Sequence, residues 1–255
     1  MLSNVAQFSV RLARDAADLR AAQRLRYRVF VQELGGDGPL VDHELGLERD
    51  RFDPFYDHLL LVDETRNDDV VGVYRVLRDD QAQKAGQFYS EGEYDLEVLK
   101  RSGRSLMELG RSCLAPEYRG GAAMYHLWSG LSRYVTEHGV EILFGVASFH
   151  GTQTAALAQP LSFLHHRHLA PETLRVRAQA TQHQSMNLLP EHQIDRRVAM
   201  RQVPALIKAY LRLGGFVGDG AFVDHVFNTT DVCLVMDTKL LNERQKAIYS
   251  KEVAR

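Results

Sequence analysis

The sequence has few of the features that mark secreted or disulfide-stabilised proteins. Its 255 residues include only two cysteines, Cys113 and Cys233, and each lies in an apolar run. Two distant cysteines argue against a disulfide framework or a cysteine-rich metal site, so we expect small buried residues in a reducing compartment. Residues 1–10 lack the basic start and apolar run of a signal peptide. We therefore expect a cytoplasmic protein, with at most peripheral attachment at the inner face of the membrane.

Long hydrophobic runs and a strong charge excess are also missing. The longest stretch without charged residues, Ile142 to His166, is interrupted by polar residues and Pro160, well short of the roughly 20 apolar residues of a membrane span. The formal net charge is −2, and no nucleic-acid-binding motif is recognisable, so we expect no nucleic-acid partner. Neither an internal repeat nor a linker interrupts the chain. We therefore predict one domain over residues 1–255, with a less regular insertion at about 165–201.

Strand and helix patterns alternate along the chain. Apolar runs and alternation predict these strands: Phe8–Ala13, His58–Val62, Val70–Leu77, Ser105–Leu114, Ile142–Val146, Leu174–Ala178 and Val232–Met236. Helical spacing predicts these helices: one after Asp15 or Asp18, then Gly120–Glu137, Thr152–Leu164, Pro204–Leu213 and Lys239–Val253. This order predicts an α/β or α+β fold with a central sheet.

The most informative segment is a strand–turn–helix junction from Leu106 to Gly121. Gly120 and Gly121 precede the predicted helix, where exposed backbone N–H groups and the helix dipole favour a negative charge. Such a junction suits a pyrophosphate or a phosphopantetheine phosphate. Junctions of this kind are also common as purely structural connections, so the pattern alone leaves both interpretations open.

The residues Arg119-Gly-Gly-Ala-Ala-Met124 resemble the acyl-CoA pyrophosphate motif of the GNAT acyltransferases, Arg-Xaa-Xaa-Gly-Xaa-Gly/Ala. Ala122 and Met124 stand at its two small-residue positions, and this departure favours a donor on acyl carrier protein over CoA. The resemblance implies that these residues contact the acyl donor: Ser112, Cys113, Leu114, Arg119, Gly120, Gly121 and Ala122.

Several further motifs, in the same order, resemble known acyltransferases. Arg26–Phe30, Gly72–Arg75 and Glu108–Arg111 are similar to the carrier-protein-dependent branch that includes acyl-homoserine lactone synthases. A closer resemblance, over residues 25–153, is to the ornithine-lipid N-acyltransferase family, through Asp53–His58 and Met107–Leu114 among others. It implies a GNAT-like fold with a central mixed, largely antiparallel sheet flanked by helices. It also implies transfer of a 3-hydroxyacyl chain from acyl carrier protein to the α-amino group of ornithine, giving lyso-ornithine lipid. The donor would be the carrier's 4′-phosphopantetheine thioester, with no permanently bound cofactor.

Aminolysis of a thioester needs a base for the amine proton and donors for the developing oxyanion. Glu108 lies inside an apolar strand, where burial would disfavour its charged form and prepare it for proton transfer. An ion pair with Arg111 or Arg75 is the structural alternative. His58, which follows Asp57, is a second candidate base, although a strand-end histidine is often only a hydrogen-bonded group. Cys113 as a nucleophile is disfavoured, because no histidine is near it in sequence.

Charged residues suggest where the acceptor and the carrier would bind. Four carboxylates of the acidic loop after the first helix could receive the ornithine cation: Asp42, Glu44, Asp50 and Asp53. Arg75 or Arg111 would receive the carboxylate. The carrier protein could dock on basic residues: Arg20, Arg24, Arg28, Arg101 and Arg104. Solvated loops and helix faces are the structural alternatives for both sets.

The remaining motifs yield no second chemistry. His165, His166 and His168 lack an accompanying carboxylate or cysteine at ligand spacing, so we expect no metal. Competing functions are an enzyme of the same fold with another acceptor, such as glycine, a homoserine lactone precursor or a polyamine, and a non-catalytic membrane-binding protein.

Overall fold

The computed structural model describes residues 6–241. Packing divides them into two compact units, with residues 6–85 and 109–139 in the first and residues 86–108 and 140–241 in the second. The segment 165–201 belongs to the second unit. The assignment of one domain over residues 1–255 stays a prediction.

Eleven strands and seven α-helices are described within residues 6–241. The strands are β1 Phe8–Leu12, β2 Asp57–Asp63, β3 Asp69–Arg78, β4 Tyr94–Asp95, β5 Leu106–Leu114, β6 Ile142–His150, β7 Arg177–Ala178, β8 His183–Gln184, β9 Phe216–Val217, β10 Ala221–Asp224 and β11 Thr229–Asp237. The helices are α1 Ala16–Arg26, α2 Asp79–Ala85, α3 Glu97–Lys100, α4 Ala123–Glu137, α5 Ala158–His168, α6 Arg196–Gln202 and α7 Ala205–Arg212.

The first unit is a sheet with a helix on each face. Its strand order is β1-β2-β3-β5, and β2 is antiparallel to both β1 and β3. Side chains alternate along each strand, so Leu60 and Val62 of β2 pack with Leu25 of α1. Leu59 points to the other face, where it approaches Gly130 of α4. The two helices therefore bury both faces of the sheet.

The start of α1 is fixed by a side-chain cap. The Asp15 carboxylate accepts the backbone N–H groups of Ala17 and Asp18, which have no partner inside the helix. Past Arg26 the helix widens into a π-helical segment, Tyr27–Glu33. Such segments are rare and are often found at functional sites.

The second unit has its own sheet, in the order β5-β6-β11-β10-β8. The first three residues of β5, Leu106–Glu108, pair in parallel with Ile142–Phe144 of β6. The other pairings in this order, β6 with β11, β11 with β10 and β10 with β8, are antiparallel. Both units are thus mixed or antiparallel sheets with packed helices. The predicted fold class, a largely antiparallel sheet flanked by helices, is confirmed.

Several predicted elements differ in extent. The predicted strand at Leu174–Ala178 is wrong for the most part, because a 3₁₀ turn occupies Glu172–Leu174 and only two residues form β7. The predicted helix Thr152–Leu164 begins later, at Ala158 of α5, and Pro160 in the first turn removes no helical hydrogen bond. Most of the predicted helix Lys239–Val253 lies outside the described residues.

No helix within residues 6–241 combines the length and the apolar character needed to cross a membrane.

Candidate active site

Six charged residues of the first unit form one network, which we call the charge cluster: Arg26, Arg75, Arg111, Glu48, Asp50 and Asp53. Arg26 donates from Nε to Glu48 at 2.5 Å and from Nη1 to Asp53 at 2.7 Å. Arg75 donates from Nη1 to Asp50 at 2.8 Å and to Asp53 at 2.7 Å. Three guanidinium groups thus face three carboxylates, and the cluster carries no net charge when all six are ionised.

Burial and ion pairing act in opposite directions on the cluster. Burial alone would raise the pKa of Asp53 and of Glu48, because it disfavours the charged form. Arg26 and Arg75 outweigh this effect, helped at Glu48 by Arg111, and both carboxyl groups have a lowered pKa. Burial likewise opposes the charge of Arg75, but Asp50 and other neighbours raise its pKa. All three groups therefore remain charged near neutral pH.

Arg111 joins the cluster through an unusual backbone conformation. Its φ is +50°, in the left-handed region that non-glycine residues rarely adopt, although it lies within β5. Its Nε donates to Glu48 at 3.0 Å, and its Nη2 lies 3.6 Å from Asp50. These two ion pairs hold the Arg111 side chain beside Glu48 and Asp50, and their favourable energy helps to offset the cost of the strained backbone.

The predicted acceptor-binding residues fall into two groups. Arg75, Arg111 and Asp53 come together in the charge cluster, where both oxygens of Asp53 already accept hydrogen bonds. Asp42 lies apart from them, in the acidic loop, where it pairs with Arg49 at 2.9 Å. The structure thus gives Asp42, Asp50 and Asp53 arginine partners. Their role toward an acceptor stays a prediction and would require exchange of these partners.

Asp57 and His58 do not form a catalytic dyad. Adjacent strand residues point to opposite faces, and Asp57 accepts from Tyr134 Oη at 2.5 Å and from Arg78 at 2.8 Å. The His58 ring is buried on the other face, with Nε2 3.1 Å from the carbonyl oxygen of Asp53. Asp57 therefore does not contact the His58 ring, and the catalytic roles of Asp57 and His58 stay predictions.

The His58 ring is held neutral by its surroundings. Burial, the largest cause, lowers the pKa of His58 to about 4, against the opposing effect of Asp53. Its Nδ1 is buried and has no hydrogen-bond partner among residues 6–241. A neutral imidazole can accept a proton, but a pKa of about 4 makes it a weak base near neutrality.

Glu108 is buried in the second unit and anchors a neighbouring turn. Its two carboxylate oxygens accept the backbone N–H groups of Tyr89 at 2.8 Å and Ser90 at 2.7 Å, and the Ser90 hydroxyl also donates to it. Tyr89 and Ser90 begin a short 3₁₀ helix. These contacts give Glu108 a structural task, while its role as base stays a prediction.

The predicted donor-binding segment joins β5 to α4 in the first unit. Gly120 has a φ of +77°, which glycine adopts without strain. Ala122 caps α4 without a side-chain hydrogen bond, so N–H groups of the first turn can serve an anion. The Arg119 guanidinium forms a bidentate pair with Glu33 at 2.5 and 2.7 Å. A donor phosphate at Arg119 would have to compete with that carboxylate.

Three further residues of the donor segment lie on β5. Cys113 is buried, and burial raises the pKa of its thiol to about 12, so the thiolate needed by a nucleophile is disfavoured. The Leu114 carbonyl accepts from Arg119 Nε at 3.2 Å. The Ser112 hydroxyl is buried and has no hydrogen-bond partner in the described part of the chain. Ser112, Cys113 and Leu114 stay predicted donor contacts.

The predicted docking arginines differ in their electrostatic surroundings. Arg28 pairs with Glu117 at 2.9 Å. In the second unit, Arg101 pairs with Glu97 at 2.6 Å and Arg104 with Asp237 at 2.5 Å. Arg20 and Arg24 are exposed on α1, and neither forms an ion pair with a described residue. Their roles in docking stay predictions.

One group of carboxylates was missed in the sequence. Glu93, Asp224 and Asp231 of the second unit place one oxygen each within 4.8 Å of one another. Glu93 is far in the chain from Asp224 and Asp231, so no spacing indicated the group of three. Converging carboxylates alone do not define a metal site, and the expected absence of a metal stays a prediction.

Comparison with known proteins identifies the class of enzyme. The profile of the acetyltransferase (GNAT) domain matches residues 25–129. The AHL synthase LasI has a TM-score of 0.53 at 15% identity, covering 98% of this chain and 99% of that one. The CoA-dependent acyl-homoserine lactone synthase MesI has a TM-score of 0.52 at 12% identity, covering 96% and 97%. These likenesses show the fold, and with the domain match they define an acyltransferase of the GNAT class.

Sequence identity identifies the family. The chain is 59% identical over 250 residues to the L-ornithine N(alpha)-acyltransferase of Rhodobacter capsulatus, covering 96% of each protein. It is 41% identical over 261 residues to the protein of that name from Brucella abortus, covering 100% of this chain and 93% of the relative. The chain belongs to the L-ornithine N(alpha)-acyltransferase family.

Proposed function

We propose that this acyltransferase moves a 3-hydroxyacyl chain from acyl carrier protein to the α-amino group of L-ornithine and so forms lyso-ornithine lipid. The observation that carries the proposal is the 59% identity, over 96% of both chains, to a relative named for N(alpha)-acylation of ornithine. An identity of this size over the full alignment makes a different acceptor in the same site the weaker alternative. The sequence motif at Ala122 and Met124 supports a carrier-protein donor over CoA.

The proposed reaction is an aminolysis. The neutral α-amine attacks the thioester carbonyl, the new C–N bond forms, and the C–S bond breaks to release the thiol of the phosphopantetheine arm. One proton leaves the amine for a base and finally reaches the sulfur. Glu108 and His58 are the two candidate bases. The N–H groups at the start of α4 are free of side-chain caps, so they are available to the arm's phosphate.

The test is a reconstituted assay with purified protein, a 3-hydroxyacyl carrier protein and ornithine, followed by mass spectrometry of the product. We expect acyl-ornithine with the carrier-protein donor and little with the matching acyl-CoA. Glycine, lysine and glutamine, tested in parallel, should be poor acceptors. A better amine than ornithine would overturn the acceptor, and equal use of acyl-CoA would overturn the carrier-protein donor.

We also propose that the enzyme works at the inner face of the membrane, where an amphipathic product would insert. The loop after the π-helical segment supports this, because Leu34, Leu40 and Leu45 are 46–60% exposed. Replacing the three leucines by serine should reduce co-sedimentation with lipid vesicles. Equal co-sedimentation of the variant would contradict a contact through this loop.

A further inference from the structure

A cleft of about 300 Å³ opens in the first unit beside α1. Apolar side chains, among them Leu25 and Val70, contribute to its lining. Three arginines also line it, Arg24, Arg28 and Arg66. The sequence patterns indicated Arg24 and Arg28 as basic residues of one helix face, but they gave no reason to group Arg66 with them.

The three arginines are not equivalent. Arg28 is neutralised by Glu117, which also lines the cleft. Arg24 and Arg66 are exposed, and neither forms a close ion pair with any residue in the range 6–241, although Arg66 interacts electrostatically with Asp63 and Glu117 over longer distances. An exposed guanidinium without a carboxylate partner retains its charge for a binding partner, whereas a compensated one contributes little. The electrostatic attraction of the cleft for an anion therefore comes from Arg24 and Arg66.

The cleft also adjoins the predicted donor segment. Ala115, Glu117 and Tyr118 line it, and they directly precede Arg119 and the glycines that lead into α4. The Arg66 guanidinium lies 5.7 Å from the centre of the Tyr118 ring, a cation–π contact. A partner held in the cleft would therefore be next to the loop where the phosphate of the acyl donor is expected.

We propose that this cleft is the docking surface for the acidic face of the acyl carrier protein, with Arg24 and Arg66 as its charged contacts. The inference rests on the proposed function and assigns the partner to one surface. It moves docking away from Arg101 and Arg104, whose charges are compensated by Glu97 and Asp237. Asp69, an exposed carboxylate on the same cleft, opposes the binding of an acidic partner.

The test compares two variants that reverse a positive charge of the cleft with one variant that removes a negative charge. Arg24→Glu and Arg66→Glu should each raise KM for the acyl carrier protein about fivefold and change kcat less than twofold. Asp69→Asn should lower the same KM, because it removes a like charge. Both effects should shrink as salt is raised, since screening weakens exposed charges. The matched control is Arg201→Glu, an exposed arginine of α6 in the second unit, for which KM should not change.

A second acyl donor distinguishes recognition of the carrier protein from recognition of its phosphopantetheine arm. With an acyl-phosphopantetheine donor that lacks the protein, KM for the donor should be the same in Arg24→Glu, in Arg66→Glu and in the wild type. An equal rise in KM with this protein-free donor would overturn the proposal, because the cleft would then recognise the arm's phosphate. An unchanged KM for the carrier protein in both variants would also overturn it. Failure of the wild-type enzyme to use acyl carrier protein would instead show that the proposed function is wrong.

Discussion

At the scale of single residues, the acidic loop supplies counterions. Its carboxylates, Glu48, Asp50 and Asp53, neutralise three arginines, Arg26, Arg75 and Arg111. The partners are 22 positions apart in the pair Arg26–Glu48, 25 in Arg75–Asp50 and 63 in Arg111–Glu48. The sequence identified most of these residues as important but assigned Asp50 and Asp53 to the cation of the substrate. It could not show the pairing, because partners so distant in sequence meet only through the fold.

His58 gives a prediction about pH. Its pKa in the folded protein is about 4, against 6.5 as the ordinary value, because of burial. As pH falls below 6.5 the unfolded chain binds a proton that the folded protein does not, so stability falls, and the loss continues to about pH 4. Between pH 6.5 and 5 we expect this residue to contribute up to about 1.4 kcal/mol per pH unit to the slope of the unfolding free energy.

Urea unfolding of His58→Gln across that pH range measures the effect. The variant should lack this part of the slope, whereas the exposed His225→Gln should retain it. Identical slopes for His58→Gln and the wild type would contradict a neutral buried histidine.

Glu108→Gln tests the proposed base. The amide has one oxygen in place of two, so it keeps the N–H of Tyr89 or of Ser90 as a donor but not both, and it cannot take a proton from the amine. We expect kcat to fall about 100-fold. Ser90→Ala is the matched control, because it removes one donor to Glu108 and keeps the carboxylate, so its kcat should fall far less. Turnover of Glu108→Gln within about twofold of the wild type would exclude Glu108 as the base.

At the scale of helices and strands, segments with a regular hydrophobic pattern were predicted correctly, and segments without one were not. The β2–β3 hairpin and β11 have apolar runs flanked by turn residues, and the structure confirms them. The segment 165–201 has no sustained hydrophobic period, and α6, which overlaps its end, was missed because seven residues give too short a pattern. The π-helical segment Tyr27–Glu33 was also missed, since its pattern does not differ from that of an α-helix.

Gly130 of α4 gives a prediction about packing. A Cβ atom built there would lie 2.3 Å from Cγ1 of Val10, so the helix approaches β1 closely enough to exclude a methyl group. Glycine to alanine normally stabilises a helix by about 1 kcal/mol. Here we expect the opposite, a loss of about 1–3 kcal/mol from overpacking.

Thermal or urea unfolding of Gly130→Ala measures the change. Ser129→Ala, at the preceding helix position, is the control and should change stability by less than about 0.5 kcal/mol. A stabilised Gly130→Ala would contradict the close approach of α4 to β1.

At the scale of the whole molecule, the fold and the family agree. Both units combine helices with largely antiparallel strands, and the chain aligns over almost its full length with members of the L-ornithine N(alpha)-acyltransferase family. The order of the motifs along the sequence was enough to predict this family. The donor, the acceptor and the position of the carrier protein depend on surfaces that no single motif describes, so they remain proposals.

The central claim is that the acyl chain is transferred to the α-nitrogen of ornithine. The most direct measurement uses ornithine labelled with ¹⁵N at the α-amine only, acylated from a 3-hydroxyacyl carrier protein. Tandem mass spectrometry of the product then identifies which nitrogen carries the amide. We predict the heavy isotope in the amide bond and an unlabelled, free δ-amine. An unlabelled amide nitrogen, or no acyl-ornithine at all, would contradict the account.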